Sequence, residues 1–256
     1  MDHSYIMVAP NGARRGKADH PALPVTLQDI VETAKSCRIA GAQALHLHVR
    51  DAKGGHSLDA GRYLEALAEL AVQVPAMRVQ ITTEAAGIFD VAAQFECLAK
   101  VRPDWASISV REIARAPEMA QKLYATCAEQ GTEVQHILYN TDDIALLRDW
   151  QSRGIIHTAP EAKQGSVLFV LGRYSDGQIS EPSDLDPFLT ALPDAPRWMV
   201  CAFGPQEHAC LAAAAQRGGD LRVGFENSLC NSQNFVHETN ASSVAALREL
   251  LQGTPA

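Results

Sequence analysis

The 256-residue chain has no run of 18 or more apolar residues, so a membrane-spanning helix is excluded. It has no basic excess: 22 Lys and Arg stand against 30 Asp and Glu, a formal net charge of -8. A dispersed acidic balance argues against a nucleic-acid partner and against a polybasic membrane anchor. The six cysteines (37, 97, 127, 201, 210 and 230) contain no Cys-x-x-Cys pair. Most sit in apolar contexts, as Cys97 does between Glu96 and Leu98, and read as buried reduced thiols. The opening Met1-Asp2-His3-Ser4-Tyr5 lacks a basic region followed by an apolar run, so no secretory signal and a cytoplasmic location are expected. There is no linker rich in Pro, Gly and Ser, no low-complexity tract and no repeat of roughly 20–50 residues. With 46% hydrophobic residues the chain can bury a sizeable core, and residues 1–256 read as one domain.

What is present is an alternation of short apolar runs with longer helical patterns. Strand-like runs lie at 5–9, 44–49, 78–83, 105–110, 133–139, 167–172, 198–203 and 221–225. The first helix opens at Thr26, with Asp29 in capping-box register, and Gly41 closes it. Leu27, Ile30, Val31, Ala34 and Cys37 share its apolar face, and Tyr63, Leu64, Leu67 and Leu70 stripe the next helix. Further helical windows lie around 89–100, 116–129, 142–153, 184–192, 206–217 and 240–251. Eight strand-helix units in a chain of this length have the rhythm of an α/β fold of the (β/α)8 TIM barrel type. A doubly wound open sheet is the alternative, but no glycine-rich phosphate loop follows the first strand. In a barrel, chemistry is expected where strands end and run into their helices.

His46-Leu47-His48 ends the second strand. Side chains alternate along a strand, so both imidazoles face one way and Leu45, Leu47 and Val49 the other. Two imidazoles so placed can hold one divalent ion, and zinc accepts such a set. The plainer alternative is two polar residues on a half-exposed face. A third ligand should come from another strand end, and Glu226 ends the eighth strand, which closes against the first. Two His and one carboxylate leave an open position, as a catalytic zinc requires. Glu226 can equally cap the following segment. Arg222, four residues earlier, faces the interior of that strand and needs an anion there, either a neighbouring carboxylate or a ligand's.

Several segments together resemble the β-keto acid cleavage enzyme family. They are Ala9-Pro-Asn-Gly-Ala13, Pro21-Ala-Leu-Pro-Val-Thr26 and Gly41-Ala-Gln-Ala-Leu-His-Leu-His-Val-Arg-Asp51, followed by Gln80-Ile-Thr-Thr83, Phe169-Val-Leu-Gly172, Trp198-Met-Val200 with Gly204, and Arg222-Val-Gly-Phe-Glu226. They run in order over nearly the whole chain. The resemblance implies a (β/α)8 barrel with zinc held by His46, His48 and Glu226. It also implies cleavage of a β-keto acid with acetyl-CoA, giving acetoacetate and a new acyl-CoA, and a homo-oligomer. Thr82 (or Thr83) stands where the family usually has Ser or Thr, and Ser107 holds a similar place on strand four; each is otherwise an ordinary strand residue. Asn11, Arg14, Thr83 and Arg50 are the expected substrate contacts, and Arg222 is an expected catalytic group.

The chain departs from the family at four places. Asn227 stands where the family has an Asp paired with the Arg as acid/base group, and an amide takes up no proton at neutral pH. Glu133-Val-Gln135 replaces a Glu-x-Glu on strand five, Arg14 (beside Arg15 and Lys17) replaces a Glu, and Glu84-Ala85 replaces Gly-Gly. The metal ligands are expected to persist while the substrate changes. In one reading Glu84 or Glu133 supplies the base and Arg14 favours an anionic substrate tail; the plainer reading of Arg14, Arg15 and Lys17 is a solvated basic loop. In a second, the zinc pocket serves a different lyase or hydrolase step on a small anionic substrate. The amidohydrolase type also carries a His-x-His, but normally after the first strand. A third reading is a metal-holding scaffold that has lost its acids. Asp51 either orients a His or starts the loop to Gly55, and His208 lies on the mouth side after strand seven.

Overall fold

The computed structural model describes residues 4–158, 163–195 and 197–253; the first three residues of the opening segment lie outside these. The chain enters through β1 (Ile6–Val8), α1 (Leu27–Ala40) and β2 (Ala44–Leu47). A small hairpin follows, β3 (Val49–Arg50) with β4 (His56–Ser57), then α2 (Ala60–Gln73), β5 (Arg78–Thr82) and α3 (Val91–Val101). Next come β6 (Trp105–Ser109), a single turn α4 (Val110–Ile113), α5 (Pro117–Gln130), β7 (Glu133–Leu138) and α6 (Thr141–Ser152). The last part holds β8 (Ser166–Leu171), α7 (Asp186–Ala191), β9 (Arg197–Ala202), α8 (Glu207–Gln216), β10 (Asp220–Val223) and α9 (Asn240–Gly253).

The strands β1, β2, β5, β6, β7, β8, β9 and β10 pair in parallel and close a barrel, β10 hydrogen-bonding to β1. Each lies within two residues of its expected bounds, and the open-sheet alternative is removed by that closure. The expected second strand is shorter than 44–49. The ladder stops at Leu47, and the chain turns out of the barrel into the β3–β4 hairpin, where Val49 pairs with Ser57 and Arg50 with His56. The first helix begins as expected: Thr26 Oγ1 accepts from the Asp29 N–H (3.1 Å), Asp29 Oδ2 accepts from the Thr26 N–H (3.2 Å), and Gly41 ends the helix at φ +111°. All six cysteines are unpaired and five are buried. Among the described residues, no helix is long and apolar enough to cross a membrane.

Strand alternation sorts the barrel walls. Val8, Leu45, Leu47, Ile81, Val134, Phe169, Val200 and Val223 point outward and pack against the helices in the main apolar core. Each such side chain contributes roughly 1.5–3 kcal/mol by leaving water. Met7, Ala44, Trp105, Leu168 and Met199 point inward. The N-terminal end of the barrel is closed by ion pairs, Arg78 to Glu133 (3.0 Å) and Arg197 to Asp220 (3.0 Å), with the Arg78 guanidinium 4.6 Å from the Trp105 ring centre. Above this plug lies a polar layer of Gln80, Ser107, Gln135 and Ser166, and above that the strand C-termini.

Candidate metal centre and active site

The β2 ladder brings His46 inward, and His48 follows where the strand breaks. The break is held from outside: Asn11 Nδ2 donates to the His48 carbonyl (3.2 Å) and to the Pro24 carbonyl (3.1 Å). The two rings meet edge to face, with their Nε2 atoms 3.2 Å apart. Glu226 arrives from the far side of the barrel closure. Its N–H donates to the Ala9 carbonyl (3.0 Å), and Gly224 just before it adopts φ +140°. A Cβ on Gly224 would lie 2.5 Å from the Ala9 oxygen. Gly12, at φ +60°, is also required: its Cβ would stand 2.6 Å from Glu226 Cγ, so only glycine lets the loop after β1 pass behind this carboxylate.

His46 Nε2, His48 Nε2 and Glu226 Oε2 form a triangle with edges of 3.2, 3.5 and 3.6 Å. Ligands at zinc-like bond lengths in a tetrahedron stand roughly 3.3 Å apart, so the triangle suits one small divalent ion. Glu226 Oε2 is buried and has no hydrogen-bond partner among the described residues, as a ligand atom awaiting an ion would be. Burial, together with the Arg222 charge, lowers the His46 pKa to about 3, so its ring is neutral and can ligate. Its Nδ1 lies 2.8 Å from Gln80 Oε1; as the Gln80 amide nitrogen donates to Gln135 Oε1 (3.1 Å), Gln80 accepts from Nδ1–H and leaves Nε2 free. Burial alone would raise the Glu226 carboxyl, but Arg222 with His46 and His48 outweighs it and holds the group well below its ordinary value. His46 and Glu226 are therefore in their metal-binding protonation states at neutral pH.

Arg222 lies buried beside this triangle. Its Nη2 donates to Cys201 Sγ (3.2 Å), Glu226 Oε1 (3.3 Å) and Asn227 Oδ1 (3.4 Å). The Asn227 amide nitrogen donates to the Arg222 carbonyl (3.1 Å) and to Glu207 Oε1 (3.1 Å). Glu207 also accepts from the Gly224 N–H (3.0 Å). Burial pushes its carboxyl up to about 8 against the opposing pull of Asn227 and Gly224, and its Oε2 has no hydrogen-bond partner among the described residues. The sequence pattern does not single out Glu207, which falls in the first turn of an expected helix. The available signal was its place just beyond a barrel strand's C-terminal end.

The other expected residues divide. Thr82 and Glu84 line a cavity of about 320 Å³ with His46, Arg222 and Glu226, and Glu84 Oε2 lies 4.0 Å from His48 Nε2. Asn11 and Arg14 line an adjoining space of about 480 Å³, where Arg14 pairs with Glu84 at 2.8 Å. The Thr83 hydroxyl turns to the Ser107 carbonyl (3.4 Å), and Ser107 Oγ is buried in the barrel with no partner among the described residues. Glu133 is not brought to the mouth. It begins its strand rather than ending it, and sits in the N-terminal plug with Arg78 and Arg197. Arg50 is committed to backbone: its guanidinium donates to the carbonyls of Asn11, Gly12, Arg15 and Gly54, fixing the loop after β1. Asp51 caps its own loop by accepting from the Lys53 and Gly55 N–H groups (both 2.8 Å), and the partner that orients His46 is Gln80. His208 hydrogen-bonds Ser243 Oγ at 3.0 Å and stacks on His237, away from the cavity.

Fold and site define a closed (β/α)8 barrel whose mouth carries a two-histidine, one-glutamate cluster suited to a divalent ion. Over residues 4–254 the sequence matches the beta-keto acid cleavage enzyme family, and the chain belongs to it; it is an enzyme of that family. It is 25% identical to the 3-keto-5-aminohexanoate cleavage enzyme of Fusobacterium nucleatum, over 95% of this chain and 89% of that protein. It is also 25% identical to the 3-oxoadipate:acetyl-CoA acetyltransferase of Cupriavidus necator, over 95% and 88%. The 3,5-dioxohexanoate:acetyl-CoA acetone transferase of Paraburkholderia graminis is 23% identical, over 97% and 89%. The solved structure of apo ObcA has the same fold, with a TM-score of 0.71 at 17% identity; the match covers 91% of this chain and 62% of that one. The type I 3-dehydroquinate dehydratase of Clostridium difficile is a more distant barrel, at a TM-score of 0.61, 10% identity, and 98% and 93% coverage.

Proposed function

We propose that the chain is a zinc-dependent enzyme that cleaves a β-keto acid with acetyl-CoA, giving acetoacetate and a new acyl-CoA. The observation that carries the metal assignment is the triangle of His46, His48 and Glu226, with an unpartnered carboxylate oxygen at one vertex. Family membership supports the cleavage, and the relatives named for acetyl-CoA-dependent transfer support the co-substrate.

When bound, the ion polarises the keto acid's carbonyl and stabilises negative charge on its oxygen. Glu84 takes the proton from the carbon between the carboxylate and the ketone. It is the cavity-lining carboxylate not assigned to the metal, whereas Asn227 cannot accept a proton, Glu207 lies behind Asn227 and Glu133 is at the other end of the barrel. The carbanion attacks the thioester carbonyl and expels CoA thiolate. The thiolate adds to the former ketone carbon, and the bond between that carbon and the deprotonated one breaks; the electron pair stays on the deprotonated carbon, which takes back the proton held by Glu84 to give acetoacetate, while the former ketone carbon leaves as the new acyl-CoA. Arg222, fixed by Glu226 and Asn227, sets a permanent positive charge beside the reacting oxygens, and the Thr82 hydroxyl donates to one of them. Asn227 in this scheme orients Arg222 instead of moving protons.

The test is turnover. Zinc-loaded protein is incubated with a chemically diverse panel of β-keto acids and acetyl-CoA, and acetoacetate is followed. Release from at least one acid, lost on stripping zinc and restored on adding it back, is expected. Stoichiometric zinc with no turnover across the panel would sink the proposal and favour a different lyase or hydrolase step.

A further inference from the structure

The mouth carries more positive charge than its carboxylates balance. Arg173 follows Gly172 directly beyond the end of β8, and its side chain is only 14% exposed. It lines both the cavity over the metal cluster and the adjoining one. Its guanidinium lies 5.1 Å from the Phe203 ring centre and 5.7 Å from that of Tyr174, yet no described residue accepts a hydrogen bond from it. The nearest acid is Glu84, whose Oε1 is 4.0 Å from Arg173 Nη2 but 2.8 Å from Arg14 Nη1. One carboxylate is therefore shared by two cations. Among the described residues, Arg15 on the same wall donates only to the main-chain carbonyls of Phe225 and Glu226. A guanidinium that is largely buried, stacked on aromatic rings and without an acceptor is poised for a ligand anion.

We infer that Arg173, with Arg14 beside it, forms a subsite for an acidic group at the far end of the substrate, so that the β-keto acid is a diacid. The inference rests on the cleavage reading above. Two 4.0 Å steps across Glu84 put Arg173 Nη2 within roughly 10 Å of His48 Nε2. With the β-keto carboxylate end at the metal cluster, an extended chain of up to about three carbons fits within that limit. The phosphates of CoA carry the same chemistry, and because the long pantetheine arm separates them from the thioester, a site this close to the metal cluster favours the keto acid's own carboxylate; the KM for acetyl-CoA distinguishes the two. The sequence drew attention to Arg14, which is half exposed and closely paired with Glu84 at 2.8 Å; the structure shifts the weight to Arg173, which is largely buried and meets the same carboxylate only at 4.0 Å.

The experiment compares 3-oxoadipate with 3-oxohexanoate, a diacid and a monoacid of one chain length. Binding of each to zinc-loaded protein is measured by calorimetry without acetyl-CoA, and kcat/KM is measured with it. The diacid is expected to bind about ten- to hundred-fold more tightly, the range of one charge-assisted contact. Arg173→Met should lower binding and kcat/KM for the diacid by that factor more than for the monoacid, and Arg173→Lys should keep part of the preference. If the Met variant melts early, Arg173→Lys and Arg14→Gln carry the comparison. Equal affinity of the wild type for both acids, or equal loss for both in the variants, overturns the subsite. So does a diacid preference that survives Arg173→Met while the KM for acetyl-CoA rises, because the anion is then a CoA phosphate. A diacid preference that Arg173→Met abolishes upholds the subsite even with neither acid turned over, and absence of turnover across the whole keto-acid panel then defeats the cleavage reading alone. Turnover of both acids without preference does the reverse.

Discussion

Replacing Gln80 by Leu would separate metal tuning from simple core stability. Gln80 is fully buried; its Oε1 accepts from His46 Nδ1 at 2.8 Å and its Nε2 donates to Gln135 Oε1 at 3.1 Å. Leu approximates the volume but accepts nothing, so His46 loses the bond that fixes its tautomer and reserves Nε2 for the ion. Loss of such an outer partner costs about 10–100-fold in metal affinity, or about 1.4–2.7 kcal/mol. In addition, Gln135 Oε1 and His46 Nδ1 are left buried without partners, at about 1–3 kcal/mol each in the metal-free protein. Both quantities are measurable: zinc affinity by competition with a chromophoric chelator, stability by melting of the stripped protein. Gln80→Glu keeps an acceptor facing His46 and should hold zinc far better than the Leu variant. Unchanged zinc affinity in Gln80→Leu, with only a lower melting temperature, would refute the orienting role.

Gly12→Ala should lower zinc occupancy, because the new Cβ falls 2.6 Å from Glu226 Cγ and φ +60° adds about 1–2 kcal/mol of strain; elemental analysis reads the loss, and full occupancy contradicts it. Glu207, held near 8 against an ordinary 4.5, keeps in the folded state a proton that the unfolded chain releases. Its contribution is complete below about 4.5 and is lost as the pH rises to about 8, at about 1.4 kcal/mol per unit. Glu207→Gln should therefore flatten the stability profile across that window, and an unaltered slope in denaturant titrations would count against the assignment. Asn227→Asp sets a carboxylate 3.1 Å from Glu207 Oε1, so it should destabilise the protein more as the pH rises, and Glu207→Gln in the same chain should relieve this. Equal effects of Asn227→Asp with and without Glu207→Gln would show that the two residues are not coupled.

The barrel was legible because eight apolar runs alternate with capped helical patterns, and the three metal-ligand candidates because each ends a strand that the barrel brings to one mouth. Resemblance strengthened both. What did not show were partners chosen by packing between strands. Gln80 reads as one polar residue in a strand until its neighbour across the ladder is known to be His46. Glu207 reads as a helix's first-turn acid until Asn227 is folded against it. Glu133 misled because the strand pattern shows that a residue lies inward but not at which end of the barrel; its position at the strand's start already pointed away from the mouth. Arg50 misled for a related reason, since a motif fixes its identity but not that its guanidinium ties down the loop after β1.

Whether His46, His48 and Glu226 hold one zinc ion is decided by anomalous diffraction across the zinc edge from crystals grown with zinc. One strong peak is expected, bonded at about 2.0–2.2 Å to His46 Nε2, His48 Nε2 and Glu226 Oε2. A mouth without a peak, or an ion bound through other atoms, would contradict it.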